Sequence, residues 1–173
     1  MAEITRTLAS KPKESATPKS YGAGIPKPTS ISHNPMISNE WLENNGYVNA
    51  AKLWKKYSTE ELAHSDWSRE YLLSMGVQPS TPMLNAPTQN FSGLPEIIKL
   101  SFDHEITVTM QIKDLATDAQ KKGDHMLYEL ALKFLKEQVE EHNKMQNWKD
   151  QLAAFGEDKI AMRLLDHEIK DYL

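Results

Sequence analysis

Three long stretches with the period of an amphipathic α-helix, separated by glycine and proline, constrain the fold of this chain more than any other feature. Apolar residues recur at steps of three or four, and no stretch shows the competing period of two that a β-strand would give. We predict helices over 48–75, 94–122 and 125–155, each roughly 40 Å long at about 1.5 Å per residue. Because helices of this length are typical of bundles, the predicted fold class is all-α.

Turn signals divide the helices from one another. Gly76 suits the position after a helix C-terminus, and the stretch 77–93 that follows is too rich in Pro, Asn and Gly to form an element. Gly123-Asp124 provides a stop and a new N-cap. We also predict a short first helix from Pro35 through residues 41–42, and a short fifth helix that opens at 156–158 and runs to the end of the sequence.

Composition excludes several classes of protein and of site. The chain has 173 residues and no Cys, which rules out a disulfide scaffold, a thiol nucleophile, a Cys-ligated zinc site and a thiolate-held iron–sulfur cluster. No apolar run approaches the roughly 18–20 residues that span a bilayer, so we expect no membrane insertion. The net charge of −4 argues against nucleic-acid binding.

Charge is distributed unevenly along the chain. Residues 1–33 contain five Lys or Arg against two Glu, together with four Pro and few large apolar residues. Such a segment cannot bury enough surface to offset its ordering entropy. We therefore predict two parts, an extended basic arm over 1–33, for which a disordered tail is the alternative, and a helical bundle over 34–173.

Polar residues interrupt the apolar stripes near the middle of the three long helices. The second helix carries Glu61 and His64, one turn apart on the same face. The third carries Glu105 between apolar neighbours, and the fourth carries Gln138 and Glu141. Each motif has a plainer interpretation as a solvated polar surface, but together the motifs would bring carboxylates and an imidazole to one level of the bundle.

Several carboxylates buried at one level need a cation. An ionised carboxylate without a partner costs several kcal/mol to bury, so a divalent metal is the natural companion. Oxygen-rich ligation with one His suits iron or manganese better than structural zinc.

The motifs and their spacing from about residue 41 to 173 resemble those of bacterial and H-type ferritins. Glu60-Glu61-Leu62-Ala63-His64 resembles the Glu-Glu-x-x-His of the ferritin B helix, and Glu137-Gln138-Val139-Glu140-Glu141 resembles the Glu-Gln-x-Glu-Glu of the D helix. The Pro-rich segment resembles the long B–C crossover loop, and 164–169 is similar to the short E helix. The resemblance implies a ferritin-like four-helix bundle with a long crossover loop and a short fifth helix.

The resemblance also implies roles for individual residues. A di-iron ferroxidase site would draw its ligands from three helices, namely Glu61, His64 and Glu105, with Gln138 and Glu141 at the second iron position. An additional iron site of bacterial members would use Glu60, Glu137 and Glu140. The implied chemistry is oxidation of Fe(II) by O₂ or peroxide followed by iron storage; other divalent metals could also bind.

The first helix departs from the ferritin pattern. Ferritins have a long A helix that contributes one Glu to the same site, but counting back at ferritin spacing leads to Pro28, and residues 15–39 contain no Asp or Glu. Proline is incompatible with a regular helix interior. We therefore predict a truncated first helix and an incomplete di-iron site, for which His33 or Tyr21 are candidate substitute ligands.

Two functions of different classes follow. The first is an iron-binding ferritin relative, with or without Fe(II) oxidation. The alternative is a structural subunit of a larger complex, such as a virion, that reuses the fold and binds partners through the basic arm. In either case an incomplete bundle predicts a homo-oligomer or other subunits as partners. We expect a soluble intracellular protein, in the cytoplasm or inside a larger particle.

Overall fold

The computed structural model describes residues 38–79 and 90–173, and the regular structure in these two ranges is helical. The elements in chain order are α1 (38–44), α2 (Val48–Ser74), α3 (Leu94–Lys122), α4 (His125–Phe155) and α5 (Lys159–Ile169), followed by a 3₁₀ turn (Lys170–Tyr172). The predicted arm over 1–33 and most of the predicted crossover loop lie outside the described residues.

Helix boundaries agree closely with those predicted from the turn signals. The C-terminal end of α3 has Gly123 in the left-handed conformation, and Asp124 caps α4 by accepting a hydrogen bond from Leu127 N at 3.0 Å. The fifth helix differs from the prediction, because the α-helix ends at Ile169 and its last turn tightens into a 3₁₀ turn. Such tightening is common at helix C-termini.

The buried apolar residues form two clusters, one toward each end of the bundle. The first contains Trp54, Ile98 and Trp148 with the buried face of α5, and the second contains Ile112 and Leu127 with their neighbours. Between the clusters, the middle turns of α2, α3 and α4 carry buried polar side chains. The fold therefore places a polar layer between two apolar cores.

Hydrogen bonds between side chains tie α2 to the other long helices on both sides of this polar layer. They join Trp54 Nε1 to Ser101 Oγ (3.1 Å), Trp148 Nε1 to Tyr57 Oη (3.3 Å) and Tyr71 Oη to Asp124 Oδ2 (3.2 Å). The two indole N–H groups are thereby satisfied inside the core, as buried polar atoms require. These contacts fix the height of α2 relative to α3 and α4.

The short helix α5 docks against the beginning of α2. Asp166 Oδ1 accepts a hydrogen bond from the buried Ala50 N at 2.8 Å, so α5 provides the side-chain cap that residue 47 does not give to α2. Arg163 donates to the carbonyl oxygen of Gly46, in the turn between α1 and α2. A polar residue of α5 thus completes the first turn of a helix more than a hundred residues earlier.

None of the helices in the described ranges is long and apolar enough to cross a membrane.

Candidate metal centre

The polar layer contains four almost fully buried residues, all of which the sequence places on the apolar stripes. Their exposed fractions are 7% for Glu61, 8% for Glu105, 6% for Gln138 and 6% for Glu141. The residues that recur at steps of three or four along α4 are its seven buried residues, namely Leu127, Ala131, Phe134, Gln138, Glu141, Met145 and Trp148. The interpretation of these stretches as solvated polar surface is therefore wrong for these four positions.

Glu105 is held by a chain of hydrogen bonds from α4 back to α3. Gln138 Nε2 donates to Glu105 Oε2 at 3.2 Å, and Gln138 Oε1 accepts from Thr109 Oγ1 at 2.6 Å. The second hydrogen bond orients the amide so that its nitrogen faces the carboxylate. The amide nitrogen of Gln138 is therefore oriented toward Glu105.

Burial and neighbouring charge make Glu105 a poor place for an uncompensated negative charge. The pKa of Glu105 is raised to about 7: burial is the largest cause, the charge of Glu61 adds to the rise, and the hydrogen bond from Gln138 opposes it. The pKa of Glu141 is also raised, chiefly by burial and against the effect of Lys144. Carboxylates this closely coupled favour either a proton or a cation between them.

Glu61 and His64 form the i, i+3 pair predicted on α2. His64 Nδ1 lies 3.7 Å from Glu61 Oε1. The Glu61 carboxylate beside it raises the pKa of His64, burial opposes this, and the charges of Glu141 and Glu137 add to the rise. The imidazole therefore lies in the negative field of the polar layer.

Glu141 pairs with a cation of its own helix. Lys144 Nζ lies 2.7 Å from Glu141 Oε1 and 3.5 Å from Glu60 Oε2, so it bridges α4 and α2. Burial alone lowers the pKa of Lys144, but the hydrogen bond to Glu141 and the charges of Glu141 and Glu60 outweigh it, and the pKa is raised. Lys144 is therefore a fixed positive charge at the edge of the layer.

A small cavity opens between the three long helices at this level. Its volume is about 20 Å³, room for roughly one water molecule or one ion. Its wall includes the carboxylates of Glu61, Glu105 and Glu141 as well as His104. The Nε2 atom of His104 is buried, and in the described part of the chain it has no hydrogen-bond partner.

Burial and donor chemistry together test whether a metal suits this cavity. In the geometry of the described residues, no three His, Asp or Glu side chains already converge as a metal-binding group. The donor types nevertheless suit a divalent metal such as iron or manganese: buried carboxylate oxygens, an imidazole beside them, and on the wall an imidazole nitrogen without a hydrogen-bond partner among the described residues. Burial also lowers the pKa of His104, which favours the neutral imidazole that a metal can bind.

The three residues predicted for an additional iron site are more exposed than the four buried residues of the polar layer. Glu60 is half-buried and contacts Lys144, Glu137 is half-buried, and Glu140 is exposed on α4. Tyr21 and His33, the candidate substitute ligands, lie outside the described residues. So does the proline at the position of the first-helix Glu, and the truncated first helix stays a prediction.

Two residues of the site were missed by sequence reasoning. Lys144 carried a usable signal, because it stands three residues after Glu141 and such pairs meet on one helix face. His104 carried none, because its position lies one residue off the apolar stripe of α3 and predicts a surface side chain. His104 is half-buried, and its Nε2 is buried.

Comparisons with known sequences point to one family. The sequence model of the ferritin-like domain family matches residues 32–155. A probable bacterial non-heme ferritin-like protein of Haemophilus influenzae is 25% identical over 129 residues, 75% of this chain and 78% of the relative. A bacterial non-heme ferritin of Escherichia coli is 24% identical over the same shares. Ferritin BfrB of Mycolicibacterium smegmatis is 37% identical over 91 residues, 53% of this chain and 50% of the relative.

Comparison of folds gives the same result. An open-pore ferritin from Archaeoglobus fulgidus superposes with a TM-score of 0.82 at 20% identity, covering 92% of this chain and 96% of that one. A closed form of the same ferritin, engineered by mutagenesis, also gives a TM-score of 0.82 at 19% identity, covering 92% of this chain and 97% of that one. The predicted ferritin-like bundle with a short C-terminal helix is therefore confirmed. With its polar mid-bundle layer and a family match over most of its length, the chain belongs to the ferritin family.

Proposed function

We propose that this protein binds iron at the polar layer between α2, α3 and α4 and serves in iron storage. The observation that carries the proposal is Glu105, a carboxyl that is buried among other carboxylates and whose pKa is raised to about 7. A buried acid in such surroundings gains more from a bound cation than an exposed one, since the cation removes the repulsion with Glu61.

The ligand set that we propose comes from two helices. Glu61 and His64 on α2 and Glu105 on α3 would hold the metal, and His104 supplies a further nitrogen on the cavity wall. Hard carboxylate oxygens with imidazole suit Fe(II) or Mn(II). The named relatives, which are bacterial non-heme ferritins, support iron as the physiological choice.

Oxidation of Fe(II) by O₂ would be a second activity of this centre. A ferroxidase step would take one electron from each of two Fe(II) ions, and O₂ would gain the two electrons and two protons to become H₂O₂. That step needs two metal positions, the second of which the resemblance assigns to Gln138 and Glu141. In this chain both side chains are hydrogen-bonded to other residues.

Self-association is a further part of the proposal. Large apolar side chains are exposed on several helices, among them Met110 (61% exposed), Val139 (61%) and Ile160 (73%). Apolar surface of this kind favours contact with another copy of the chain. We propose a homo-oligomer. The comparisons do not favour the alternative of a purely structural subunit.

Anaerobic titration calorimetry with Fe(II) near pH 7 tests iron binding. We expect tight binding by the native protein, weakened by roughly 10- to 100-fold or lost in Glu61→Gln. Glu70→Gln is the matched control, because Glu70 is an exposed residue of the same helix and the substitution removes the same charge. Absence of binding by the native protein, or equal affinity in Glu61→Gln and Glu70→Gln, would contradict the proposal.

A further inference from the structure

Lys144 already holds the place of a cation in the polar layer. Its ammonium lies 2.7 Å from Glu141 Oε1 and 3.5 Å from Glu60 Oε2, and it also lies 5.5 Å from the centroid of the Tyr57 ring. Only 36% of the Lys144 side chain is exposed, and 8% of the Glu141 side chain. The ammonium thus joins two helices at the height of the cavity and is not a freely moving surface lysine.

A metal ion bound to Glu141 would have to compete with this ammonium. Metal–carboxylate bonds are about 2.0–2.3 Å long. An ion at that distance from the Glu141 carboxylate would come within a few ångströms of Nζ, and two cations this close in a partly buried site repel strongly. One of them must leave.

The amide at the same level is also engaged. Gln138 Oε1, the atom with which an amide would bind a metal, accepts a short hydrogen bond of 2.6 Å from Thr109 Oγ1. Its Nε2 donates to Glu105. Both residues on α4 that could serve a second metal are therefore paired within the protein. On α2, Glu61 lies beside His64 and on the cavity wall, where the Nε2 of His104 has no hydrogen-bond partner among the described residues.

We propose that Lys144 is a built-in substitute for the second metal, so that each chain binds one metal ion tightly, on the Glu61–His64–Glu105 side. The ammonium places one positive charge between Glu141 and Glu60 and thereby sets the stoichiometry of the site. This inference rests on the proposed metal-binding function and adds the number of ions. A single Fe(II) can release only one electron, so the paired two-electron reaction with O₂ cannot be completed within one chain.

Counting the metal ions bound per chain tests whether Lys144 takes the place of a second metal. We would titrate the full-length protein with Co(II) by calorimetry near pH 7 and compare it with Lys144→Met and Lys144→Arg. The native protein and Lys144→Arg should each bind one ion tightly, since both keep the positive charge. Lys144→Met should bind two, because Glu141 and Glu60 are then free to act as ligands.

Lys149→Met is the matched control. Lys149 lies on the same helix, its ammonium lies over the Phe102 ring at 4.3 Å, and the described residues include no ion pair with it. This variant should keep one site. Two ions in the native protein, or one in a folded Lys144→Met, would contradict the role of Lys144 as a substitute for the second metal. Neither result would contradict metal binding itself. No binding in any of the proteins would overturn the proposed function as well.

The number of metal ions bound by the native protein tests the proposal even if Lys144→Met fails to fold. Circular dichroism reports whether the variant keeps its helices. In that case, two tight ions in the native protein still contradict the proposal. One tight ion in both the native protein and Lys144→Arg supports it.

Discussion

Gln138 Nε2 donates a hydrogen bond of 3.2 Å to Glu105 Oε2, which joins α4 to α3 in the middle of the polar layer. The amide can stabilise the carboxylate but does not offset its burial, and the pKa of Glu105 stays raised at about 7. The apo protein therefore carries a buried acid that titrates near neutral pH. A cation bound beside it would displace its proton.

Stability of the apo protein should fall as the pH rises through the titration of Glu105. Its pKa is 4.5 as a free side chain and about 7 in the fold, so the folded state binds more protons than the unfolded state between these values. The contribution of Glu105 is therefore fully present below about pH 4.5 and lost as the pH passes 7, up to about 3 kcal/mol. Urea unfolding of metal-free protein at pH 5 and pH 8 measures this change in the free energy of unfolding.

Glu105→Gln isolates this contribution, because the amide cannot titrate. We expect the variant to equal or exceed the native protein in free energy of unfolding at pH 8 and to lose much of the difference between pH 5 and pH 8. Glu70→Gln, at an exposed site, should keep the native pH dependence. An unchanged pH dependence in Glu105→Gln would show that Glu105 is not the titrating group.

The protonation of His64 should depend on Glu61. The neighbouring Glu61 carboxylate is the largest cause of the raised pKa of His64. In Glu61→Gln the pKa of His64 should fall, since the burial that opposes the rise remains. An NMR titration of the imidazole C–H resonances in metal-free protein measures the change. A pKa of His64 that is the same in both proteins would contradict the pairing.

Much of this fold follows from sequence periodicity alone. The positions of Glu105 and Gln138 on apolar stripes predict burial, and both are buried, because a helix of regular period leaves little choice of face. The boundaries follow from Gly123 and Asp124 for equally local reasons. Such features need no knowledge of the neighbouring helices.

The contacts that depend on packing could not be predicted in this way. Asp166 lies in a short helix far along the chain, and nothing local indicates that it caps α2. His104 lies off the stripe of α3, yet its Nε2 is buried and the residue lines the cavity between the long helices. The spacing of Lys144 from Glu141 predicts that pair, but nothing local indicates that Glu60 on α2 comes within 3.5 Å of the ammonium. Each depends on the distance between elements that are remote in sequence.

Asp166→Ala should destabilise the protein. It removes the acceptor for the buried N–H of Ala50 and the negative charge near the start of α2. Loss of a helix cap costs about 1–2 kcal/mol. Asp171→Ala, at an exposed position of the same C-terminal segment, should change stability little. Equal free energies of unfolding for the two variants in urea would contradict the capping role.

Tyr57→Phe should also destabilise the bundle. It leaves the buried Nε1–H of Trp148 without its acceptor, and an unsatisfied buried donor costs about 1–3 kcal/mol. Tyr128→Phe is the matched control, because the hydroxyl of Tyr128 makes no hydrogen bond in the described ranges. Chemical denaturation of both variants measures the difference, and a Tyr57→Phe protein as stable as Tyr128→Phe would show that the indole finds another partner.

The location of bound iron tests the central claim most directly. Crystals of the protein grown with Fe(II) under anaerobic conditions, with anomalous scattering recorded at the iron edge, would show where the ion lies. We predict one strong peak per chain beside Glu61, His64 and Glu105, with the ammonium of Lys144 still against Glu141. Iron found only away from these three residues would contradict the assignment of the polar layer as the metal centre.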